Sequence, residues 1–505
     1  MHFNPQRGFA FIMVLIFILA LGLAGASFMV ISSSEIIMTR MQNDSTKAFY
    51  LANAGIESGL YALLQDFNSG GGSPSWRDGD IDGIACGPNS ASFYTLYGST
   101  NLGEGSYTIS LKNTANNDEI FVRATGTCGD NSRSIEVYVK AYNVSPWNNA
   151  IFGGAGTGGM LINGNVSIAG SVHILGTGIA DTDFAMNMSG SAGIQNNYDG
   201  IPASLSSRIP ACPTVDFGGE NIQSLGATLR VKNGIVGLSG TADAGGTDVP
   251  GNSYKETLDG VYVTDGYGGN KGAANVYSDN GSSNPYDLGD SISFPSLNDS
   301  YTEPGGPTYT TYKDYLKANA LVISNAAQLA ALGSLTPTSN FSYTDGANSI
   351  SMNGSGAMTI SGIVYIQGGD LGMNKSGSNK TITYTGIGSI LVEGDADASD
   401  GATQVNVNLL TSNTFPTSSA LGVMSVGKIT FDAANIDVIG AFYSQERINV
   451  AKQTNVGGTL VSNLIDMGSN VPSVYQVPAL YTNLPPGMIG AGNSWIVVTS
   501  DWQEI

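Results

Sequence analysis

The sequence predicts an α+β protein in which a long N-terminal helix leads into a small antiparallel β subdomain and then into a mainly-β head with a right-handed β-helix or solenoid. The first observation is an uncharged apolar run that continues into an amphipathic helical pattern. The second is a set of short alternating strands separated by glycine, asparagine and aspartate turns. The third is a six-residue spacing of glycines and aliphatic residues, which is typical of solenoid coils.

The net charge of the chain excludes one class of partner. Its 505 residues include 20 Lys and Arg against 40 Asp and Glu, which gives a formal net charge of -20. Phosphate backbones repel such a chain, so nucleic acid is not expected among its partners. The charge suits a solvated extracellular surface, or a surface that holds cations.

The N-terminal segment predicts one continuous helix over residues 9–66. Residues 9–31 carry no charge, and this run exceeds the roughly 20 residues that span a bilayer as a helix. The pattern then becomes amphipathic, and the glycines at 70–72 end it. Two simpler interpretations of the apolar run are a secretory signal peptide cut within residues 23–26 and a plain membrane anchor.

This segment resembles a known family. A short leader that ends in Gly8, followed by Phe9 and the apolar run, is similar to the class III signal of type IV pilins and pseudopilins. The stretch KAFYLANAGIESGL at 47–60 resembles the end of the N-terminal helix in PilX-type minor pilins. The resemblance implies that residues 1–8 are a prepilin leader, that prepilin peptidase cuts after Gly8, and that the new N-terminus at Phe9 is methylated.

Met13 departs from the family pattern. Most of these pilins carry a glutamate at this position, where its carboxylate neutralises the amino terminus of the neighbouring subunit. A lone carboxylate in hydrocarbon is costly and persists where it has a partner, and a subunit at the tip has no subunit above it to engage. Met13 therefore indicates a filament-packing position in a terminal or initiating subunit, although it would pack in the membrane equally well in a plain anchor.

Residues 67–145 predict a pilin-like α+β subdomain built against the helix. The expected strands alternate apolar and polar residues and lie at 92–98, 105–113, 119–128 and 133–142. If the chain is exported, Cys86 and Cys128 are the expected disulfide pair, because both fall in this subdomain, and Cys212 is left single. Three free thiols are the alternative.

An acidic loop precedes these strands. Asp78, Asp80, Asp82 and Gly83 form the pattern D-x-D-x-D-G, in which carboxylates at every second position converge on one cation and the glycine allows a sharp turn. Calcium is the expected metal. Asn89 stands where an EF-hand has its bidentate glutamate, so a plain solvated acidic loop remains the alternative.

From about residue 146 the sequence predicts the head. Residues 146–219 form a first β-solenoid part, 220–345 an insertion with loops and a short helix at 324–335, and 346–505 a second β-solenoid part with a C-terminal tail. Glycines recur every six residues from 158 to 176, between aliphatic residues expected to face inward. His173 alternates with two of those aliphatic residues and is therefore expected to face solvent.

These features predict a structural and interaction protein. The resemblance implies a minor pilin at the tip of a type IV pilus, which starts assembly and adheres through its large head. Before assembly it would sit in the inner membrane as a single-pass protein, and after assembly at the extracellular pilus tip. The implied partners are other major and minor pilins, together with surface glycans or proteins of a host or partner cell.

Two alternatives remain open at this stage. One is the tip pseudopilin of a type II secretion system. The other is a polysaccharide-acting β-helix enzyme anchored to the membrane by its helix. The sequence favours no enzyme, because it has two histidines and its candidate catalytic side chains are scattered, namely Asp432, Asp437, Glu446 and Arg447.

Overall fold

The structure is a computed structural model with two compact units. Unit 1 comprises Met1–Asn143 and Asn493–Ile505, and unit 2 comprises Val144–Gly492. The residues that the structure describes are 6–69, 92–114, 119–156, 161–180, 183–217, 219–227, 229–231, 235–238, 242–244, 261–263, 292–303, 305–394, 402–468, 472–490 and 495–505.

Unit 1 begins with the single long helix that the sequence predicts. Helix α1 runs from Gln6 to Ser69, slightly beyond the predicted 9–66 at both ends. Its formation follows from the sequence, since no proline interrupts it between Pro5 and Pro74 and good helix formers fill most of its second half.

An antiparallel sheet packs on the second half of α1. Its strands follow one another in sequence and in space as β1 (Tyr94–Leu102), β2 (Gly105–Asn113), β3 (Glu119–Cys128) and β4 (Asn131–Asn143). Burial alternates along β3 at every residue, as a sheet with one face on a core requires. The core is formed by side chains of α1 and the sheet, including Ile56, Leu63, Ile109, Val122 and Val137.

Unit 2 starts with strands that occupy residues 151–263. They are β5 (Ile151–Gly156), β6 (Leu161–Gly164), β7 (Ser167–Ala169), β8 (Val172–Ile174), β9 (Phe184–Gly190), β10 (Gly193–Gln195), β11 (Thr214–Phe217), β12 (Glu220–Gln223), β13 (Leu229–Val231), β14 (Ile235–Leu238), β15 (Asp243–Ala244) and β16 (Val261–Val263). The described helices here are a 3₁₀ turn at Pro146–Asn148 and α2 (Ala203–Ser206).

The second stretch of unit 2 spans residues 301–475. Its strands are β17 (Tyr301–Thr302), β18 (Thr308–Tyr309), β19 (Leu321–Ile323), β20 (Asn340–Asp345), β21 (Asn348–Asn353), β22 (Ala357–Ile366), β23 (Leu371–Met373), β24 (Thr381–Thr385), β25 (Ile387–Val392), β26 (Thr403–Val405), β27 (Asn408–Thr411), β28 (Ala420–Ser425), β29 (Lys428–Phe431), β30 (Ile436–Val450), β31 (Thr454–Asp466) and β32 (Ser473–Tyr475). The helices are α3 (Tyr312–Ala318), α4 (Ala326–Gly333) and a 3₁₀ turn at Pro478–Leu480.

The predicted short helix at 324–335 is confirmed as α4. Asn325 caps it, because its side-chain oxygen accepts a hydrogen bond from the Ala327 amide at 2.9 Å. The helix ends at Gly333, the glycine that the sequence places near its end.

Most strands of unit 2 pair in parallel and form long ladders. Ladder A runs β19-β22-β25-β28-β30-β31-β5-β8-β13-β16. Ladder B runs β22-β24-β27-β30, and from β31 it continues as β32-β7-β10-β15. Ladder C runs β23-β26-β29-β30. Together with the antiparallel hairpin β20-β21, these strands form one sheet of 21 strands within the described residues.

The order of strands in ladder A differs from their order in the sequence. The chain enters at β5, in the middle of the ladder, and proceeds outward to β16. It resumes at the opposite end with β19 and returns to the middle, where β31 pairs with β5 and Leu460 lies opposite Ile151. Strands from the two stretches predicted as solenoid parts therefore belong to one sheet, and the predicted insertion at 220–345 contributes strands to the same sheet.

The six-residue glycine spacing marks successive strands of different ladders. Strands β6, β7 and β8 follow each other along the chain, yet β7 pairs with β10 and β8 pairs with β5. Gly170 lies between β7 and β8 with φ 133°, a conformation that favours glycine. The six-residue spacing therefore reflects turns at which the chain passes from a strand of one ladder to a strand of another.

The C-terminal strand returns the chain to unit 1. Strand β33 (Trp495–Glu504) pairs antiparallel with β4, and Trp495 lies opposite Asn143. The sequence predicts a C-terminal tail after the second solenoid part, and the strand pairing adds that the described residues 495–504 of this tail join the sheet of unit 1. The partner strand is distant in sequence, so no local pattern identifies the pairing.

Candidate functional site

The first half of α1 is apolar and exposed on all sides. The most apolar stretch of this helix lies near the N-terminus, has a mean hydropathy of 2.8 and is 0% buried. Length and composition therefore allow it to cross a membrane, although a signal sequence passes the same test. The structure places the predicted junction, Gly8 and Phe9, within the first turns of this helix, and the Phe9 side chain is 66% exposed.

Met13 lies one turn further along this apolar surface. Its side chain is 54% exposed, like its apolar neighbours, and the first carboxylate along the chain is that of Glu35. A helix that presents this much apolar surface in every direction requires a covering of lipid or of other apolar helices. This surface is one element of the candidate site.

The second half of α1 is shaped for close approach to the sheet. Small residues, among them Ala48, Ala52, Gly55 and Gly59, lie along its buried stripe. A Cβ atom added to Gly55 would lie 2.8 Å from the Ala124 Cβ, and one added to Gly59 would lie 3.2 Å from Ile109. The stretch at 47–60 that resembles pilin helices is thus the part of α1 that holds the sheet.

The sheet also has a glycine where it faces the buried stripe of α1. A Cβ atom added to Gly126 in β3 would lie 2.1 Å from the carbonyl oxygen of Ala48 and 2.4 Å from the amide nitrogen of Ala52. Both of these are backbone atoms of α1, so neither can move aside by a rotamer change. Close backbone approach on both sides fixes the position of the helix on the sheet.

Ion pairs surround this interface. Lys47 on α1 pairs with Glu104 in the β1–β2 turn, and the Lys47 ammonium lowers the pKa of the Glu104 carboxyl through a hydrogen bond and its charge. Arg133 bonds Ser45 on α1 at 2.9 Å and Glu504 on β33 at 2.8 Å. Because these pairs are exposed, they contribute orientation more than stability.

The structure does not test the predicted metal and disulfide sites. Asp78, Asp80, Asp82 and Cys86 lie outside the described residues. Within the described part of the chain Cys128 carries no disulfide bond, and no group of three or more His, Cys, Asp or Glu residues could hold a metal ion. Cys128 is buried, with its Sγ 3.9 Å from the Glu104 carbonyl oxygen.

His173 does not face solvent, and that expectation is wrong. All three residues of β8 are buried, and His173 is 2% exposed with its ring 5.2 Å from that of Phe152. Alternation predicts exposure only where one face of a sheet is open, and both faces of β8 are covered.

The scattered candidate catalytic residues do not converge among the described residues. Asp437 accepts hydrogen bonds from Asn455, at 2.7 Å, and from Ser204, so its carboxylate belongs to a polar row along the ladders. Arg447 lies beside Lys428 in the pairing of β29 with β30. Neither arrangement provides a pair of acids across a cleft.

Comparisons with known proteins include a match to a solved pilin. No family model matches the chain, and no curated protein sequence matches it. Among solved structures, the competence-associated pilin ComZ from Thermus thermophilus is similar, with a TM-score of 0.52 and 19% identity over 92% of this chain and 97% of that chain. At this identity the likeness shows the fold alone: a long apolar N-terminal helix followed by a mainly-β region, as in that pilin.

Proposed function

We propose that the protein is a minor pilin of the PilX type, located at the tip of a type IV pilus. The observation that carries the proposal is α1, whose exposed apolar half suits a membrane and then a filament core, and whose second half holds a sheet through small residues. The fold shared with a solved pilin over 92% of the chain supports it. Its partners are other major and minor pilins, and its role is to start assembly.

Processing follows from the same proposal. Prepilin peptidase removes residues 1–8 and methylates Phe9. The subunit waits in the inner membrane with a single span and leaves it when the filament grows, so that its head reaches the extracellular pilus tip. The absence of a carboxylate at Met13 favours a terminal position, because no further subunit presents an amino terminus to it.

The head is proposed to be a right-handed β-helix. Continuous parallel ladders in unit 2 support this architecture, because the chain passes through strands of other ladders before it returns to the next rung of the same ladder, as from β22 to β25 to β28. The right hand follows the general preference of parallel crossover connections. Such a head serves adhesion to surface glycans or to proteins of a host or partner cell, and it carries out no catalysis.

Two further sites remain proposals. Asp78, Asp80 and Asp82 bind calcium, and Cys86 pairs with Cys128. An unchanged melting temperature after calcium removal would count against the first. A mass that shows both thiols alkylated without prior reduction would count against the second.

The location at the tip is tested by immunogold labelling of filaments sheared from cells of the source organism. Antibody against the head should label filament ends. The variant Met13→Glu should move part of the label onto the shaft, whereas the matched neutral variant Met13→Gln should leave it at the ends. Label along the whole wild-type shaft would contradict a tip location. Recovery of the protein with the pseudopilus of a type II secretion system would instead favour the tip-pseudopilin alternative.

A further inference from the structure

Unit 2 contains a pocket of about 430 Å³ that no feature of the pilin fold requires. Its walls come from the segment before β17, the first residue of α3 and the turn that follows residue 488. The lining includes Ser296, Asp299, Ser300, Tyr301, Tyr312 and Ile489. The volume falls in the range of roughly 300–1,000 Å³ that is usual for small-ligand pockets.

One wall of the pocket is fixed to the ladder stack. The Tyr443 hydroxyl, on β30, donates to the Pro295 carbonyl oxygen at 2.6 Å. Gln445, on the same strand, accepts a hydrogen bond from the Leu297 amide at 2.8 Å. The Phe294 ring stacks on that of Tyr443 with a centroid distance of 5.7 Å. These contacts hold the 294–297 segment in place without a ligand.

The opposite wall is held equally well. The Tyr312 amide donates to the Asp299 carbonyl oxygen at 2.8 Å, and the Tyr312 hydroxyl donates to the Gly487 carbonyl oxygen at 3.3 Å. The Trp147 indole donates to the Ile489 carbonyl oxygen at 2.8 Å. A pocket formed in advance spares a ligand the entropy cost of ordering its walls.

Aromatic side chains dominate one side. The Tyr301 ring lies 4.9 Å from that of Tyr312 and 4.5 Å from that of Tyr315, and Tyr309 packs on Tyr315 at 5.5 Å. Burial raises the pKa of the Tyr312 hydroxyl, which therefore stays protonated and able to donate. Such a cluster offers apolar ring surface with hydroxyl groups at its border.

The other side is polar, and its described residues carry no positive charge. The Asp299 carboxylate is exposed at the pocket and accepts no hydrogen bond from any described residue. Ser300 is also exposed, and hydroxyl groups both donate and accept. No Lys, Arg or His is among the described residues that line the pocket, so an anionic ligand would meet a carboxylate and no cation.

We propose that this pocket binds a neutral carbohydrate. A sugar ring presents an apolar C–H face that suits Tyr301 and Tyr312, and hydroxyl groups that donate to Asp299 and exchange hydrogen bonds with Ser300. This inference deepens the adhesive part of the proposed function and rests on it, because it names the chemistry that the head would recognise.

The test uses the full-length chain in lipid nanodiscs, free of glycoside detergents. Saturation-transfer NMR with methyl glucoside, methyl galactoside, methyl mannoside and methyl N-acetylglucosaminide should show transfer from the protein to at least one of them, and calorimetry then gives its Kd. Asp299→Asn should weaken that binding by about ten-fold, the usual effect of one hydrogen bond to a charged group. Tyr301→Ala should abolish the signal.

Matched controls lie elsewhere in the head. Asp345→Asn removes an exposed carboxylate outside the pocket, and Tyr343→Ala removes a tyrosine stacked on Phe341, so both should bind as the wild type does. The proposal is overturned if no neutral glycoside gives a signal, if Asp299→Asn and Tyr301→Ala bind like these controls, or if methyl glucuronide binds more tightly than methyl glucoside. Filament labelling does not enter this measurement, so a failed tip assignment and a failed sugar site are distinguishable.

Discussion

At the scale of single residues, glycine and alanine decide how α1 meets the sheet of unit 1. The Gly126 position faces backbone atoms of Ala48 and Ala52, so nothing at this contact can adapt by changing a rotamer. Interiors packed to this density feel the addition of a single methyl group. The small residues at this end of α1 thus have a steric cause, visible in Gly55 and Gly59 as well.

Gly126→Ala should therefore lower the free energy of unfolding of unit 1 by about 1–3 kcal/mol, the usual cost of overpacking. Hydrogen exchange of β3 amides during urea unfolding measures this quantity. The matched control is Gly98→Ala in β1, where an added Cβ meets no atom within 4 Å. Equal effects of the two substitutions would contradict the proposed close packing.

At the scale of elements, the sequence predicts local structure better than pairing. The alternation of Ile135, Val137 and Val139 predicts β4, and these residues are buried at 2%, 0% and 0% exposure. Capping by Asn325 predicts α4 in the same way. These signals succeed because the residues that specify each element are neighbours in the chain.

The pairings that the sequence could not predict join distant segments. Strand β31 pairs with β5, and β33 pairs with β4, across most of the chain. The periodicity of apolar residues along the chain does not indicate such long-range pairings. The same limit applies to the pocket, whose Asp299, Tyr312 and Ile489 come from separate segments.

Neighbouring glycines on β31 test the ladder geometry. An added Cβ at Gly458, which has φ 140°, would lie 1.9 Å from the Gly440 carbonyl oxygen on β30, whereas at Gly457 its nearest contact would be 3.6 Å. Gly458→Ala should destabilise unit 2 by about 1–3 kcal/mol through overpacking and backbone strain.

Calorimetry of the full chain measures this effect as a lower melting temperature of the unit 2 transition. Gly457→Ala, one residue away on the same strand, should change that temperature far less. A drop of the same size for both variants would show that the rungs of β30 and β31 do not approach each other as closely as described.

At the scale of the whole molecule, unit 2 is an insertion between two paired strands of unit 1. The chain leaves at Asn143 and returns at Trp495, and these residues are antiparallel partners. A pilin-type unit thus carries a large head without interruption of its own sheet.

Replacement of residues 144–494 by Asn-Gly should therefore leave unit 1 folded, because a two-residue turn joins directly opposed antiparallel residues. Circular dichroism should show one cooperative transition, and β4 amides should stay protected from exchange. As the comparison, the same excision with β33 also removed should lose part of that protection, since β4 would keep β3 but lose its second neighbouring strand. An unfolded Asn-Gly variant would show that unit 1 depends on the head.

The central claim is that this chain is processed and assembled as a pilin, and mass spectrometry of its mature N-terminus tests that claim most directly. Protein recovered from sheared filaments should begin at Phe9 with one added methyl group. Gly8→Val should block the cut, whereas the matched variant Gly22→Ala, at an open position of the same helix, should not. A mature chain that begins near Ser27 would identify a secretory signal peptide and contradict the account.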